Sequence, residues 1–359
     1  MLKTFEKYLI LIFVKKLVNI SLIFLSLVFI LSLFEEISFF KDLDVNISFT
    51  ILLTALNAPS TLFEIFPFIF LISTQFFFLE IINKNELEVF KINSLYNFKI
   101  IKILFFISFF IGVLLVLIFY SFSSTLKFAY LDLKNNYSDD NKYLAVVTEN
   151  GLWIKDEMNE KIYITQANVI EGSFLKDVSM FEFDENFDLN QVIESDKIDI
   201  SDYNWVIFKP TISKDNNSIK LEENMNILTH FDDLKIKGLF RSLSSLNILE
   251  LLKQKKDYEA LGYSTSEISS HLNKLYSFPF FLSIMTLVAS IIMFNTKKSR
   301  PVIFHLILGI FLSVTIYYFY YLLGLLGENG KIPVLVSVWS PLLMLSLLII
   351  IGLIRINEK

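Results

Sequence analysis

Lys127-Phe-Ala-Tyr-Leu-Asp-Leu-Lys-Asn-Asn-Tyr-Ser-Asp-Asp-Asn-Lys142 opens a polar, acidic segment that continues to Lys274. On either side of it the chain is close to pure hydrocarbon. Ile103–Leu126 and Leu275–Phe294 contain no charged residue at all. A bilayer core of about 30 Å is crossed by roughly 20 apolar residues in helix. Runs of that kind fall at Leu17–Phe34, Ile51–Ile82 and Ile103–Leu126 before the segment, and at Leu275–Phe294, Val302–Leu326 and Val334–Ile354 after it. The expected architecture is an α-helical membrane protein, three spans plus three, with one domain inserted between the halves.

Composition supports that class. With 54% apolar residues and 38 Phe in 359 residues, there is more apolar side chain than a soluble core can hide. The absence of Cys excludes disulfides, Cys-ligated zinc, iron–sulfur centres and thiol catalysis. His230, His271 and His305 are scattered without HExxH or any other ligand spacing, so no metal site is expected.

Met1–Lys16 places lysines ahead of an apolar run, as a signal peptide does. No small-residue cleavage site follows, and the chain is expected to leave span one through Glu35 and Glu36 into a loop. Orientation follows from the lysine and arginine bias of short loops. Lys3, Lys7, Lys15 and Lys16 lie at the start, Lys84, Lys91, Lys99 and Lys102 around the loop after span two, and Lys297, Lys298 and Arg300 after span four. The opposite short loops carry only Lys41 and Lys331. Both termini are therefore expected in the cytoplasm and the insert outside.

The insert carries an excess of acidic over basic residues, which argues against nucleic-acid binding. Short β-rich runs bounded by polar turns occur at 151–154, Lys161–Thr165, Val178–Phe183, Lys197–Ile200, Asn204–Phe208 and Ser218–Leu221. Alternation is clearest in Ser179-Met-Phe-Glu-Phe183 and Trp205-Val-Ile-Phe208. A small all-β, jelly-roll-like domain is expected over 127–243. From Ser244 the pattern turns helical, with Leu246, Leu249 and Leu252 on one face, giving a connector over 244–274. Ser264-Thr-Ser-Glu267 has capping-box form and is expected to start the helix of span four. Residues 1–126 then hold spans one to three, and 275–359 spans four to six.

Among the short segments, Asn83-Lys-Asn-Glu-Leu-Glu-Val-Phe-Lys-Ile-Asn-Ser-Leu95 is the most informative. Leu87, Phe90 and Leu95 with Glu86, Glu88 and Lys91 form a short amphipathic helix at about 84–95. It reads either as a solvated connector or as a helix that docks in a groove of a cytoplasmic partner. Pro59, Pro67 and Pro279 lie within spans, where neighbouring helices re-satisfy freed carbonyls. Glu64 is an acid inside a span, a functional-site hypothesis by default. Tyr317-Tyr-Phe-Tyr-Tyr321 either faces a cavity or forms an interfacial belt. There is no GxxxxGK loop, GxSxG elbow or carboxylate pair in a defined strand context. The chain is not expected to be an enzyme or to bind a cofactor, and any uphill transport must draw energy from an ATPase partner or an ion gradient.

Several blocks then resemble one family, the lipopolysaccharide export permeases LptF/LptG. Ala58-Pro59, Ile65-Phe66-Pro67 and Asn85-Glu86-Leu87 form the first block, and Gly151-Leu-Trp-Ile-Lys-Asp156, most like the LptG version, the second. Pro279 with Met285, Leu287 and Ala289, followed by Lys298 and Pro301, is the third. Gly309, Gly324, Ile332-Pro333 and Trp339-Ser-Pro341 complete the order over nearly the whole chain.

The resemblance implies a multi-pass inner-membrane protein that extracts lipopolysaccharide and passes it toward the outer membrane. Its implied partners are a sister permease, two copies of a cytoplasmic LptB-like ATPase that holds the ATP and Mg, and a single-span LptC-like bridge protein. It also implies that the loop after span two is the coupling helix, with Glu86, Leu87, Phe90 and Lys91 as ATPase contacts. Phe34, Phe66, Tyr317 and Tyr320 are expected around the lipid cavity. Where some members place cations near the outer end of span one, this chain reads Ser32-Leu-Phe-Glu-Glu-Ile-Ser38, so no phosphate contact is carried over there. Ser94 replaces a common Gly, and Lys274 falls one residue out of register with the family's basic position. The rival reading is a membrane-anchored sensor or scaffold whose β domain binds a ligand; a transporter half should co-purify with an ATPase and a sister permease, a sensor should not.

Overall fold

A computed structural model describes residues 4–41, 43, 45–92, 97–135, 137, 152–158, 161–214, 217–233, 236, 242–260, 263–294 and 302–357. Six helices among them are long and apolar enough to cross a membrane. They are α1 (Thr4–Phe39), α2 (Ile47–Asn83), α4 (Asn97–Asn135), α6 (Ser266–Phe294), α7 (Val302–Glu328) and α8 (Val334–Asn357). Two shorter helices are α3 (Glu86–Ile92) and α5 (Ile248–Ala260). The chain divides into two compact units, Met1–Tyr130 with Asn247–Leu251 and Thr265–Lys359, and Leu131–Leu246 with Leu252–Ser264.

In the helical unit, α2 and α6 are the central pair. The most apolar stretch of α2 is 61% buried and that of α6 78%, whereas α1 and α7 reach only 22%. The prolines Pro59, Pro67 and Pro279 sit on this central pair, where surrounding helices are closest. A ring cluster joins the centre: Phe63 stacks on Phe278 at 4.4 Å, and Phe66 meets Phe119 at 5.5 Å. Small residues let helices approach. A Cβ on Gly112 of α4 would lie 2.8 Å from Pro279 Cα of α6, so this contact requires glycine. Buried hydroxyls tie the same helices, with Ser108 Oγ and Thr286 Oγ1 2.9 Å apart. Beyond Gly112, α4 widens into a π turn over Leu115–Phe119 before resuming as α-helix, a device that shifts the register of the residues after it.

Past Glu35 and Glu36, α1 runs on to Phe39, and the chain leaves the helix there. Glu36 is buried, and its Oε1 accepts a 2.7 Å hydrogen bond from the Tyr130 hydroxyl. That partner, far away in sequence, is what lets a carboxylate remain inside the last turn of a span.

The inserted unit is an all-antiparallel sheet built from β1 (Leu152–Met158), β2 (Lys161–Glu171), β3 (Phe174–Phe183), β4 (Leu189–Asp199), β5 (Asn204–Ile207), β6 (Thr211–Lys214), β7 (Asn217–Lys220) and β8 (Met225–Leu228). Strands β1 to β4 form a meander, and β4 is where the sheet branches. Its first half pairs with β6 (Ile193 opposite Ile212) and its end with β5 (Ile198 opposite Ile207). The two-residue alternation holds: Met180 and Glu182 point inward on β3, as do Trp205 and Ile207 on β5. Buried Glu182 is satisfied by Lys161 at 2.9 Å and Gln191 at 2.8 Å. The strands run past the expected runs, β2 through Ile170, β3 from Phe174 and β4 from Leu189, where polar residues interrupt the apolar pattern; β6 and β8, four residues each, fall outside the expected runs. The start of the first expected strand, Gly151, lies outside the described residues.

The connector is corrected in its facing. Leu249 is 77% exposed and Leu251 fully buried, so the leucine spacing did not identify the inner face of α5. Its start is fixed by a reciprocal cap: Asn247 Oδ1 accepts from the Glu250 N–H at 3.0 Å, and Glu250 Oε2 accepts from the Asn247 N–H at 2.9 Å. Helix α6 begins at Ser266, within the anticipated capping sequence.

Candidate functional site

The site is assembled at the end of the helical unit where α1 starts, α2 stops and α4 starts. Helix α2 ends because Asn85 adopts a left-handed conformation, φ 56°, a geometry asparagine tolerates better than most residues. The Asn85 N–H then donates to the Ile82 carbonyl at 3.0 Å. The chain turns at once into α3, a seven-residue helix carrying Glu86 and Glu88 in its first turn, where the helix dipole favours carboxylates.

Two polar links hold this corner. Tyr8 of α1 donates from its hydroxyl to Glu86 Oε1 at 2.6 Å, and Glu86 Oε2 is enclosed with no hydrogen-bond partner among the described residues. Glu80, near the end of α2, receives Lys16 of α1 at 2.6 Å and Lys84 at 2.7 Å. The Glu80 carboxylate holds the Lys84 ammonium above its ordinary pKa. Lys16 therefore ties α1 to α2, while Lys84 braces the end of α2 itself.

Of the expected coupling residues, Glu86 faces α1, and Leu87 and Phe90 are half-buried. Lys91 lies in α3, but its side chain falls outside the described set, as do Ser94 and Leu95. Besides Glu88, α3 shows two apolar side chains to the outside: Val89 is 54% exposed and Ile92 82%. Neither was singled out from sequence, since a seven-residue helix offers too few turns for its faces to be read. An exposed apolar pair flanked by Glu88 has the character of a docking surface.

Of the four expected cavity residues, Tyr317 and Tyr320 share one cluster on α7, while Phe34 and Phe66 lie on α1 and α2. Phe34 is exposed on α1, and Phe66 is buried among Phe63, Phe70 and Phe119. Tyr317 is half-buried, its ring 5.0 Å from Phe68. Tyr320 is buried, stacked on Phe281 at 4.7 Å, with its hydroxyl 3.2 Å from Ser277 Oγ. Glu64 is exposed on α2.

A second polar set lies elsewhere in the helical unit, on α2 and α4 and on α6 and α7, and sequence reasoning largely missed it. Lys127 Nζ donates to Asn57 Oδ1 at 2.6 Å and lies 4.8 Å from the centre of the Tyr130 ring. Lys274 Nζ pairs with Glu328 at 2.6 Å. The only sequence signal was position: both lysines mark the borders of the insert. Among the described residues there is no cluster of His, Cys, Asp or Glu suited to a metal ion.

The family model described as lipopolysaccharide export system permease LptF/LptG matches residues 7–355. This chain belongs to that family. The match takes in both triplets of spans and the whole insert, so the permease is a family member along its length and not through one domain. No curated protein matches it. The permease is thus a multi-pass membrane protein of lipopolysaccharide export, with six membrane-capable helices and an inserted antiparallel β domain.

Proposed function

We propose that the permease is the LptG-like half of an ATP-driven extractor that lifts lipopolysaccharide from the inner membrane and hands it to a periplasmic bridge protein. In this reading both termini lie in the cytoplasm, the β domain lies in the periplasm, and a sister permease covers the apolar flanks of α1 and α7. Two copies of a cytoplasmic ATPase bind ATP and Mg and dock beneath the helices. Burial of hydrocarbon is worth about 0.8 kcal/mol per CH₂, so each dozen methylenes pulled from lipid into water costs roughly 10 kcal/mol. Thermal motion does not supply that, and a coupled hydrolytic partner does.

The observation that carries the reading is the exposed Val89 and Ile92 pair on a helix braced by Tyr8 and Glu86. Val89 and Ile92 enter a groove of the ATPase, while Glu86 positions α3 so that the ATPase's movement reaches α1 directly. LptG identity is supported by Trp153 and Asp156 in the block that heads the insert and by Trp339 in α8. The test is co-purification of the Val89→Asp/Ile92→Asp variant with the ATPase from cells expressing all components. Loss of the ATPase with retention of the sister permease is expected; an ATPase yield equal to wild type overturns the docking role.

A further inference from the structure

The start of α1 has a second neighbour besides α3. Between it and the start of α4 lies a groove of about 620 Å³, within the usual range of small-molecule pockets and roomy enough for a headgroup with one acyl chain. From α1 it is lined by Glu6 and Ile10, and from α4 by a stripe that begins with Lys99 and Lys102 and continues with Ile103, Phe106 and Phe110. The spacings of three and four put these residues on one face of α4, with the cations at its head and about 12 Å of hydrocarbon surface below them. We propose that this groove holds an anionic glycerophospholipid, its phosphate on Lys99 and Lys102 and one acyl chain along Ile103, Phe106 and Phe110.

Three observations support this occupant. Phe106 and Phe110 are 57% and 59% exposed, so the chain leaves the apolar floor uncovered. The order of chemistry along the groove, charge and then hydrocarbon, is that of a phospholipid standing in a leaflet. Lys102 is exposed with no ion-pair or hydrogen-bond partner among the described residues, and Lys99 lies 4.8 Å over the Phe5 ring, a contact that leaves its charge uncompensated. Glu6 stands on the opposite wall of the groove. Tyr8 lies about 200° around α1 from Glu6 at 100° per residue, so the lipid braces α1 on the face opposite the Tyr8–Glu86 bond. On the topology proposed above, the lipid belongs to the cytoplasmic leaflet, away from the exported glycolipid.

The test uses the full chain in mild detergent, supplied with equal amounts of phosphatidylglycerol and phosphatidylethanolamine and read by native mass spectrometry. Wild type is expected to retain phosphatidylglycerol severalfold over phosphatidylethanolamine. Lysines near anionic lipid contribute about fivefold each, so Lys99→Gln/Lys102→Gln should lower phosphatidylglycerol retention by about 25-fold, and Lys99→Arg/Lys102→Arg should keep it. Equal retention of the two lipids by wild type, preference for phosphatidylethanolamine, or a Gln variant that holds phosphatidylglycerol as wild type does would each overturn the proposal. The wild-type competition decides even if the Gln variant does not fold. No ATPase or export step enters the readout, so this inference and the pump reading fail separately.

Discussion

Tyr8 and Glu86 stand 78 residues apart in sequence and are joined by a 2.6 Å hydrogen bond. Through it the first helix of the bundle senses the position of α3, with no residue of the central pair α2 and α6 in between. Tyr8→Phe removes the donor to Glu86 Oε1, while ring packing persists. A hydrogen bond to a charged group contributes about 1.5–3 kcal/mol when sheltered; at this partly exposed site about 1 kcal/mol is reasonable. Amide hydrogen exchange over Glu86–Ile92 should therefore accelerate about fivefold, with α2 and α6 unchanged. Exchange at wild-type rates would show that α3 is held by its apolar residues alone.

Gln75 and Gly309 supply a second prediction. Gln75 is fully buried on α2 and donates from Nε2 to the His305 carbonyl of α7 at 2.9 Å, lying directly across Gly309. A Cβ at Gly309 would come 2.0 Å from that nitrogen. Gly309→Val must displace the amide, break the bond and separate α2 from α7, a combination of overpacking and lost hydrogen bonding that costs about 2–4 kcal/mol. The variant should show a clearly lower melting temperature in detergent. Adding Gln75→Ala should restore part of the loss by emptying the space, an interaction a thermal-shift double-mutant cycle reads directly.

The frame of three spans, insert and three spans was legible because an uncharged hydrocarbon run of span length has almost no place in a soluble fold, and the structure extends each run without moving it. Helix ends were less legible. Glu36 looked like the exit from a membrane, since its partner Tyr130 lies on another helix and local sequence carries no trace of it. Local sequence is equally silent on the partners of Lys127 and Lys274, because Asn57 and Glu328 reach them only once the helices assemble. The π turn at Leu115–Phe119 left no mark in an unbroken apolar run. In the β domain, Met180 and Trp205 announced their faces by alternation, whereas β6 and β8 are four-residue strands of mixed polarity, too short for any period to show. Val89 and Ile92 became visible as an exposed pair only after Glu86 was seen turned toward α1.

Asp156 and His230 lock the β domain at its first strand. Asp156 is buried, and its two oxygens meet the His230 N–H at 2.9 Å and His230 Nδ1 at 2.7 Å. Asp156→Ala removes both acceptors and is expected to destabilise the domain by about 2–3 kcal/mol. In the full chain, limited proteolysis should cut within the insert at lower protease concentration than in wild type, while fragments of the helical unit remain intact. Asp156→Asn keeps one acceptor and should fall between the two.

Lys274 and Glu328 separate two roles for a cation at the border of the insert. As a contact for lipid phosphate, Lys274 would have to present its charge to the substrate, and any loss of that charge would lower export. As observed, its ammonium is 2.6 Å from Glu328, with both side chains about three-quarters buried, so its charge is already matched by the end of α7. Removing one member of such a pair strands the other and is strongly destabilising. The Lys274→Glu/Glu328→Lys exchange should therefore recover most of the stability lost in Lys274→Glu alone, and export with it. Recovered melting temperature with export still absent would move Lys274 from a strut between α6 and α7 to a substrate contact, because only a phosphate distinguishes which of the two positions bears the positive charge.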